Sequence, residues 1–228
     1  MELGTLPGRP WNSSELMLAN VVKLRDFAEL QKRESLPSGV RAFDLATGGL
    51  VRGGISEFVG RAGSGKRSLV SAFLASLTRQ NHICAVVDST DSFDPVSAEA
   101  SGIRLSKILW VKCGGDPEKA VLATDYLIQS RLFGGIWLDM SLCEKSFLDR
   151  MPNSYWFRFK VGLKDSPGVL LVTLEEPRLR SAAHQSVVIN KEDCEWRGDS
   201  NFRVMRDRNI GLETIRPRQR NATVQIQG

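Results

Sequence analysis

The sequence predicts an α/β protein: a mostly parallel, twisted sheet flanked by helices, with a separate helix ahead of it. Three observations carry that prediction. From Ile55 onward, short apolar β-branched runs alternate with segments of helical period, the pattern of strands joined by crossover helices. A glycine-rich turn ending in lysine, residues 60–66, lies between the first of those strands and the helix after it. Two of the apolar runs close on an aspartate, Asp88 and Asp139.

Each element has its own reason. Residues 1–12 carry Gly4, Pro7, Gly8 and Pro10 and read as an irregular lead-in. Asn12, Ser13 and Ser14 then offer N-cap oxygens to a helix running to about Glu34. Leu16, Ala19, Val22, Phe27 and Leu30 give that helix one apolar face, suited to packing on its own domain or on a neighbouring subunit. Pro37-Ser38-Gly39 ends it, and the pairs Gly48-Gly49 and Gly53-Gly54 bracket a turn-rich span. Strands are expected at 55–59, 83–87, 108–111, 136–138 and 169–174, the last the most continuous apolar run. Helices are expected at 66–79, 95–101, 117–131 and 152–164, and short edge strands at 187–189, 202–205 and 223–226. The domains are set at 1–35 for the lead-in and docking helix, 36–208 for the core, and 209–228 for a basic tail with an edge strand.

Size and charge bound the function. The 228 residues are 42% hydrophobic and 25% charged, enough for one large domain that needs no disulfides. Cys84, Cys113, Cys143 and Cys194 are scattered singly, which favours reduced core thiols over a zinc site. No apolar run reaches membrane-spanning length and the N-terminus lacks a signal-peptide pattern, so a cytoplasmic protein is expected. The net charge of +5 is uneven. Arg197, Arg203, Arg206, Arg208, Arg216, Arg218 and Arg220 stand against only Asp199, Asp207 and Glu213 in the closing segment. Such an edge attracts phosphate backbones or an acidic partner, and serves equally as a solvated face.

Gly60-Arg61-Ala62-Gly63-Ser64-Gly65-Lys66 has the spacing GxxxxGK in the context that spacing requires. Glycines let the loop turn its N–H groups inward, the helix N-terminus adds partial positive charge, and Lys66 reaches the terminal phosphates. The next residue should carry a hydroxyl that ligates Mg²⁺. Here it is Arg67, with Ser68 one place later and about 100° further round the helix. Arg67 either brings a positive charge to the site or points to solvent. Asp139, closing its strand, is the candidate for the acidic strand end that holds Mg²⁺ through water.

Several spaced segments together resemble the RecA recombinase family. Leu36-Pro37-Ser38-Gly39, Phe43-Asp44-Leu45, Gly48-Gly49-Leu50 and Gly53-Gly54 match that family's approach to the phosphate loop. Val86-Val87-Asp88 to Asp94-Pro95 matches its second strand and the turn touching the nucleotide's base, and residues 101–109 fit the family's next strand. The likeness runs from about Leu36 to Leu174. It implies a RecA-like core binding ATP with Mg²⁺, with Asp94 beside the base. It also implies head-to-tail self-association or pairing with a relative, and work on DNA.

Departures from the family pattern bear on activity. Where the family has the acid that polarises the attacking water, this chain has Thr90, which accepts no proton at neutral pH. Asp91 is adjacent but is expected to aim elsewhere. Loss of a positioned base costs about 10²–10⁴-fold, so hydrolysis is expected to be slow or absent. The family's second DNA-binding loop shrinks to Glu175-Glu176-Pro177-Arg178-Leu179-Arg180, and Glu175 falls near its nucleotide-sensing amide. A RecA-like core so altered is similar to the ImuA group of bacterial mutasome accessory proteins. That likeness implies a scaffold for error-prone translesion synthesis in the SOS response to DNA damage. Its partners would be a Y-family polymerase homologue and RecA. The alternative is a DNA-dependent ATPase acting as a recombination mediator through Ser68 and Asp91. A small-molecule kinase is disfavoured: between the Asp139 and Val169 strands only Arg150 and Arg158 stand where an arginine-rich lid is needed, and Trp156, Phe157 and Phe159 read as core in preference to a partner-binding patch.

Overall fold

A computed structural model describes residues 34–197, 204–216 and 222–227, with side chains described over 34–190 and 210–215. The helix expected up to Glu34 lies outside the described residues, and with it nearly all of the domain set at 1–35. Residues 35–228 form one compact unit.

The turn-rich span ahead of the sheet is more ordered than its glycines foretell. β1 (Ser35–Leu36), α1 (Arg41–Thr47) and β2 (Leu50–Val51) come in sequence, and β1 pairs antiparallel with β2. Asp44 accepts the Ser38 N–H at 2.9 Å and its carbonyl accepts the Gly48 N–H, where Gly48 ends α1 in the left-handed conformation. Phe43 on α1 is fully buried, its ring centroid 4.8 Å from Phe73 and 6.0 Å from Phe58. One anchoring aromatic thus holds a helix too short to show a period in the sequence.

The main sheet takes up β3 (Ile55–Val59), β4 (Cys84–Asp88), β5 (Ile108–Lys112), β6 (Gly135–Asp139), β7 (Val169–Leu174), β8 (Gln185–Arg197), β9 (Val204–Arg216) and β10 (Ala222–Gln227). Its helices are α2 (Lys66–Arg79), α3 (Pro95–Ala100), α4 (Pro117–Ser130), α5 (Lys145–Arg150) and α6 (Asn153–Gly162). The strand order is β10-β9-β8-β3-β7-β6-β4-β5, parallel from β8 to β5 and antiparallel through β8, β9 and β10. This is the mostly parallel α/β sheet the sequence predicts.

Both faces of the parallel part are covered. Val169 and Leu171 of β7 pack into the core that holds Phe58, Phe73, Leu74 and Trp137. Leu170, Val172 and Leu174 pack into the opposite core, with Ile55, Leu138, Trp156 and Phe159. That two-sided burial explains the uninterrupted apolar run. The expected core role thus holds for Trp156 and Phe159, whereas Phe157 is 45% exposed.

The helix expected at 152–164 is α6, and a further short helix not expected from the sequence, α5, precedes it; the two are divided at Met151-Pro152, where proline disfavours helical backbone in the residue before it. Two boundaries are corrected. The short strand at 187–189 extends from Gln185 to Arg197 and is 13 residues long. The boundary after residue 208 falls inside β9, and the edge strand expected at 223–226 is β10. Ile210 and Leu212 of β9 are buried in the main core, each worth about 1.5–3 kcal/mol of apolar burial. Charged residues along β8 and β9 hide these strands from an apolar reading, and antiparallel pairing supplies what periodicity does not.

Parallel register brings the functional residues together. Asp88 pairs with Asp139, Asp139 with Thr173, and Val59 with Leu174. The C-terminal strand ends therefore lie level, beside the loop that leaves β3. In open α/β sheets this carboxyl edge is where ligands bind.

Candidate nucleotide site

Between β3 and α2 the glycine-rich turn has the backbone a phosphate cradle needs. Gly63 and Gly65 sit at φ +76° and +98°, in the left-handed region that favours glycine. A Cβ at Gly60 would come within 2.5 Å of the Ile189 carbonyl oxygen and 2.6 Å of Ser64 Oγ, so the close approach requires glycine. Gly65 caps α2 without a side-chain bond and the first turn carries no acid; the Lys66 N–H reaches Ser64 Oγ at 3.4 Å, and the N–H groups that follow it are left to an anion. Lys66 is buried and donates from Nζ to the Gly60 carbonyl at 2.6 Å and the Arg61 carbonyl at 3.3 Å. Burial pushes its ammonium below the ordinary lysine range; Asp139 and Glu175 oppose that shift and Arg67 adds to it.

Two open clefts share this loop. One, of about 270 Å³, is lined by residues 62–68 with Ser141 and Leu142. The other, of about 480 Å³, is lined by residues 59–64 with Glu175 and residues 188–190. Together they span the size of a small-ligand site. Ser141 is 5% exposed, and its Oγ has no hydrogen-bond partner among the described residues. A further groove, of about 490 Å³, lies between α4 and the α5–α6 segment and shares no lining residue with the loop.

Arg67 points into the site, not to solvent. Its Nε donates to Asp139 Oδ2 at 2.8 Å, its Nη2 donates to the same oxygen and to Ser92 Oγ, and its guanidinium carbon lies 5.9 Å from the centre of the Trp137 ring. The other oxygen of Asp139 accepts from Thr173 Oγ1 at 2.7 Å and from the Ser141 N–H at 3.0 Å. Thr173 Oγ1 in turn accepts from Trp137 Nε1 at 3.1 Å. A carboxylate accepts about four hydrogen bonds, and Asp139 has four. The magnesium role expected of Asp139 therefore does not fit this donor set: its lone pairs are filled, and a fixed cation occupies the adjoining helix position.

The turn after β4 is equally committed. Buried Asp88 accepts from the N–H groups of Ser92 at 3.0 Å and Phe93 at 2.8 Å, and from Trp110 Nε1 at 3.3 Å. Thr90 Oγ1 lies 3.1 Å from Ser92 Oγ, which joins it to Arg67. Asp91 turns away, as expected, though through left-handed backbone at φ +55° and not through strand alternation; it accepts the Gly114 N–H at 3.3 Å. Asp94, expected beside the base, caps α3 instead. It accepts from Ser97 Oγ and from the N–H groups of Ser97 and Val96, and the Ser97 hydroxyl foremost holds its carboxyl below the ordinary range. Ser68 borders the smaller cleft beside Arg67.

The connection from β7 to β8, residues 175–184, is fastened down. Glu57, buried in the middle of β3, accepts the Arg178 N–H at 2.6 Å, the Leu179 N–H at 3.0 Å and the Ser186 hydroxyl. Leu179, Ala182 and Ala183 are buried beneath it. Arg158 pairs with buried Asp125, its Nε 2.9 Å from Oδ1, which takes it out of any lid. Arg206, Arg208 and Arg216 lie on β9, while Arg203, Arg218 and Arg220 lie outside the described residues. Cys84, Cys113 and Cys143 are free thiols. Among the described residues no helix is long and apolar enough to cross a membrane.

Sequence reading missed Ser92, Ser141, Thr173 and Glu57. Thr173 did leave a signal, a lone polar residue in an otherwise apolar strand, and so did Glu57, a charged residue inside a short strand; such residues must find hydrogen-bond partners when buried.

Residues 16–142, more than half of the chain, match the RecA N-terminal domain. The chain belongs to the RecA family. It is similar to Protein RecA of Methylococcus capsulatus, with 34% identity over 119 residues, 51% of this chain and 33% of that protein. With Protein RecA of Chloroflexus aurantiacus the identity is 29% over 122 residues, 53% of this chain and 34% of the relative. With that of Thermotoga maritima it is 31% over 122 residues, again 53% and 34%. The chain thus spans about a third of the length of the curated relatives it matches. The matched segment of this RecA-family chain contains the phosphate loop, the 88–94 turn and Asp139; Glu57 lies within it, and the 175–184 connection lies beyond.

Proposed function

We propose that this RecA-family chain binds ATP on the 60–66 loop, hydrolyses it slowly or not at all, and serves as an accessory scaffold in DNA-damage tolerance. The observation that carries the reading is the Arg67–Asp139 pair, set beside a loop whose glycine backbone and uncapped helix start suit a triphosphate. Thr90 supports it, since no side chain at that place takes a proton from water. The DNA-dependent ATPase alternative draws on Asp91, and the Asp91–Gly114 hydrogen bond counts against it.

The scaffold is proposed to act in error-prone translesion synthesis as a member of the mutasome accessory group. A Y-family polymerase homologue and RecA are its partners, and self-association through the N-terminal segment is part of the reading. Arg206, Arg208 and Arg216 on β9, with Arg203, Arg218 and Arg220 beside them in sequence, are proposed as the partner or DNA contact.

Two measurements test this. Steady-state ATPase activity with and without single-stranded DNA, beside a direct ATP-binding titration, should give binding without appreciable turnover. DNA-stimulated turnover that Lys66→Ala abolishes would favour the mediator reading. Affinity capture of the polymerase homologue should succeed with the wild-type chain and weaken when Arg206 and Arg208 become glutamate, with circular dichroism unchanged.

A further inference from the structure

The Arg67–Asp139 pair bears on the form of nucleotide the loop accepts, a question that rests on the nucleotide binding proposed above. Arg67 comes directly after the loop lysine in the first turn of α2 and lines the 270 Å³ cleft with residues 62–68. Its Nε and Nη2 are spent on Asp139 and Ser92, whereas Nη1 makes only a 3.4 Å contact with the Ser92 carbonyl. Its side chain is 37% exposed while that of Asp139 is 3% exposed, so the free edge of the guanidinium faces outward from the pair.

A guanidinium has five N–H donors in a fixed planar fork, and a phosphate is one of the groups that fork matches. Asp139 holds the plane from behind, Ser92 braces it, and the Trp137 ring lies alongside. The charge is therefore permanent and already oriented. Lys66 stands next to it as a second cation, and Ser141 Oγ, buried at the same cleft, has no partner among the described residues. A triphosphate seated on the loop would meet two cations and a row of amide donors.

We infer that Arg67 stands in for Mg²⁺ as the counter-ion, so that this site takes a nucleoside triphosphate free of metal. Mg²⁺ bridging the terminal phosphates would find no hydroxyl ligand after the lysine, an aspartate with no lone pair to offer a bound water, and a like charge at close range. Like charges so placed repel, most strongly where burial limits screening. Magnesium therefore competes with the protein for the phosphates.

Calorimetric titration of the full chain with ATP, once in excess EDTA and once in excess Mg²⁺, tests this. The expected affinity in EDTA equals or exceeds that in Mg²⁺. In Arg67→Thr, which restores the hydroxyl and frees Asp139, Mg²⁺ should instead tighten binding about tenfold. ATP bound by the wild-type chain only in Mg²⁺ overturns the inference and leaves nucleotide binding standing. ATP bound in neither buffer overturns both. Binding in EDTA that survives Lys66→Ala places the nucleotide off the loop and overturns the inference too. The two wild-type titrations decide the matter without the Arg67 variant, whose folding circular dichroism checks.

Discussion

The two halves of the candidate nucleotide site differ in kind. The phosphate half, from β3 through the loop into α2, is made mostly of backbone: left-handed glycines, an uncapped helix start and one lysine. The strand-end half, at the ends of β4 and β6, is made of side chains that bond one another. Arg67, Ser92, Asp139, Thr173 and Trp137 form one bonded chain of donors and acceptors. A backbone cradle keeps its partners free because helix geometry leaves the first N–H groups unpaired. A side-chain site stays open only while its members lack better partners, and one arginine is enough to close it.

The largest expected effect falls on the phosphate half. Lys66→Ala should weaken ATP binding about a hundredfold, roughly 2.7 kcal/mol, read by calorimetric titration. An affinity that hardly changes would erase the contrast between the halves. On the other half, Arg67→Ala should leave the buried Asp139 carboxylate unpaired and cost stability. A fully buried pair loses about 3–5 kcal/mol on such truncation; with Arg67 part-exposed and solvent-screened, about 1–3 kcal/mol is expected in urea denaturation. Asp139→Asn should cost less, because the charge left behind faces water.

Reopening the second half is a finer test. Arg67→Thr with Thr90→Glu should give Mg²⁺-dependent ATP turnover above the wild-type background, read by phosphate release. Retained ATP binding without turnover would mean that the Asp88–Ser92 turn holds the new acid out of reach. The pH dependence of ATP binding sharpens the comparison further. Burial lowers the Lys66 pKa, so ATP affinity should begin to fall as pH rises through a value below that of an ordinary lysine. The stability effect has the opposite sense: protonated Lys66 costs stability, and the cost fades as pH climbs from the folded value to the unfolded one. The smallest effect is on thiol chemistry. Burial pushes Cys84 up to about 12 and Cys113 up to about 11, so both should resist alkylation at neutral pH until the chain is unfolded.

Legibility divided along the same line. The loop, its flanking strand and helix, and the aspartates closing β4 and β6 could be read from spacing, since glycine conformation and strand-end position are local properties. The parallel sheet was legible because strands buried on both faces stay apolar throughout. α1 was not, being held by Phe43 against rings far along the chain. Nor were β8 and β9 at full length, whose many charged residues become strand only through antiparallel partners. Asp94 illustrates a motif residue in the right place whose oxygens are taken up in capping a helix.

By itself, the sequence determined that a glycine-rich turn ending in lysine sits at the edge of a parallel sheet, because its glycines, its lysine and the neighbouring apolar runs are contiguous. It also determined that Thr90 stands where the family resemblance places an acid, because residue identity is a fact of composition. Only the tertiary structure decided where Arg67 points. Its partners, Ser92 and Asp139, are 25 and 72 residues away in the chain, and parallel register alone brings them to the first turn of α2. Charge satisfaction is a property of three-dimensional neighbours, and a one-dimensional pattern holds no record of it.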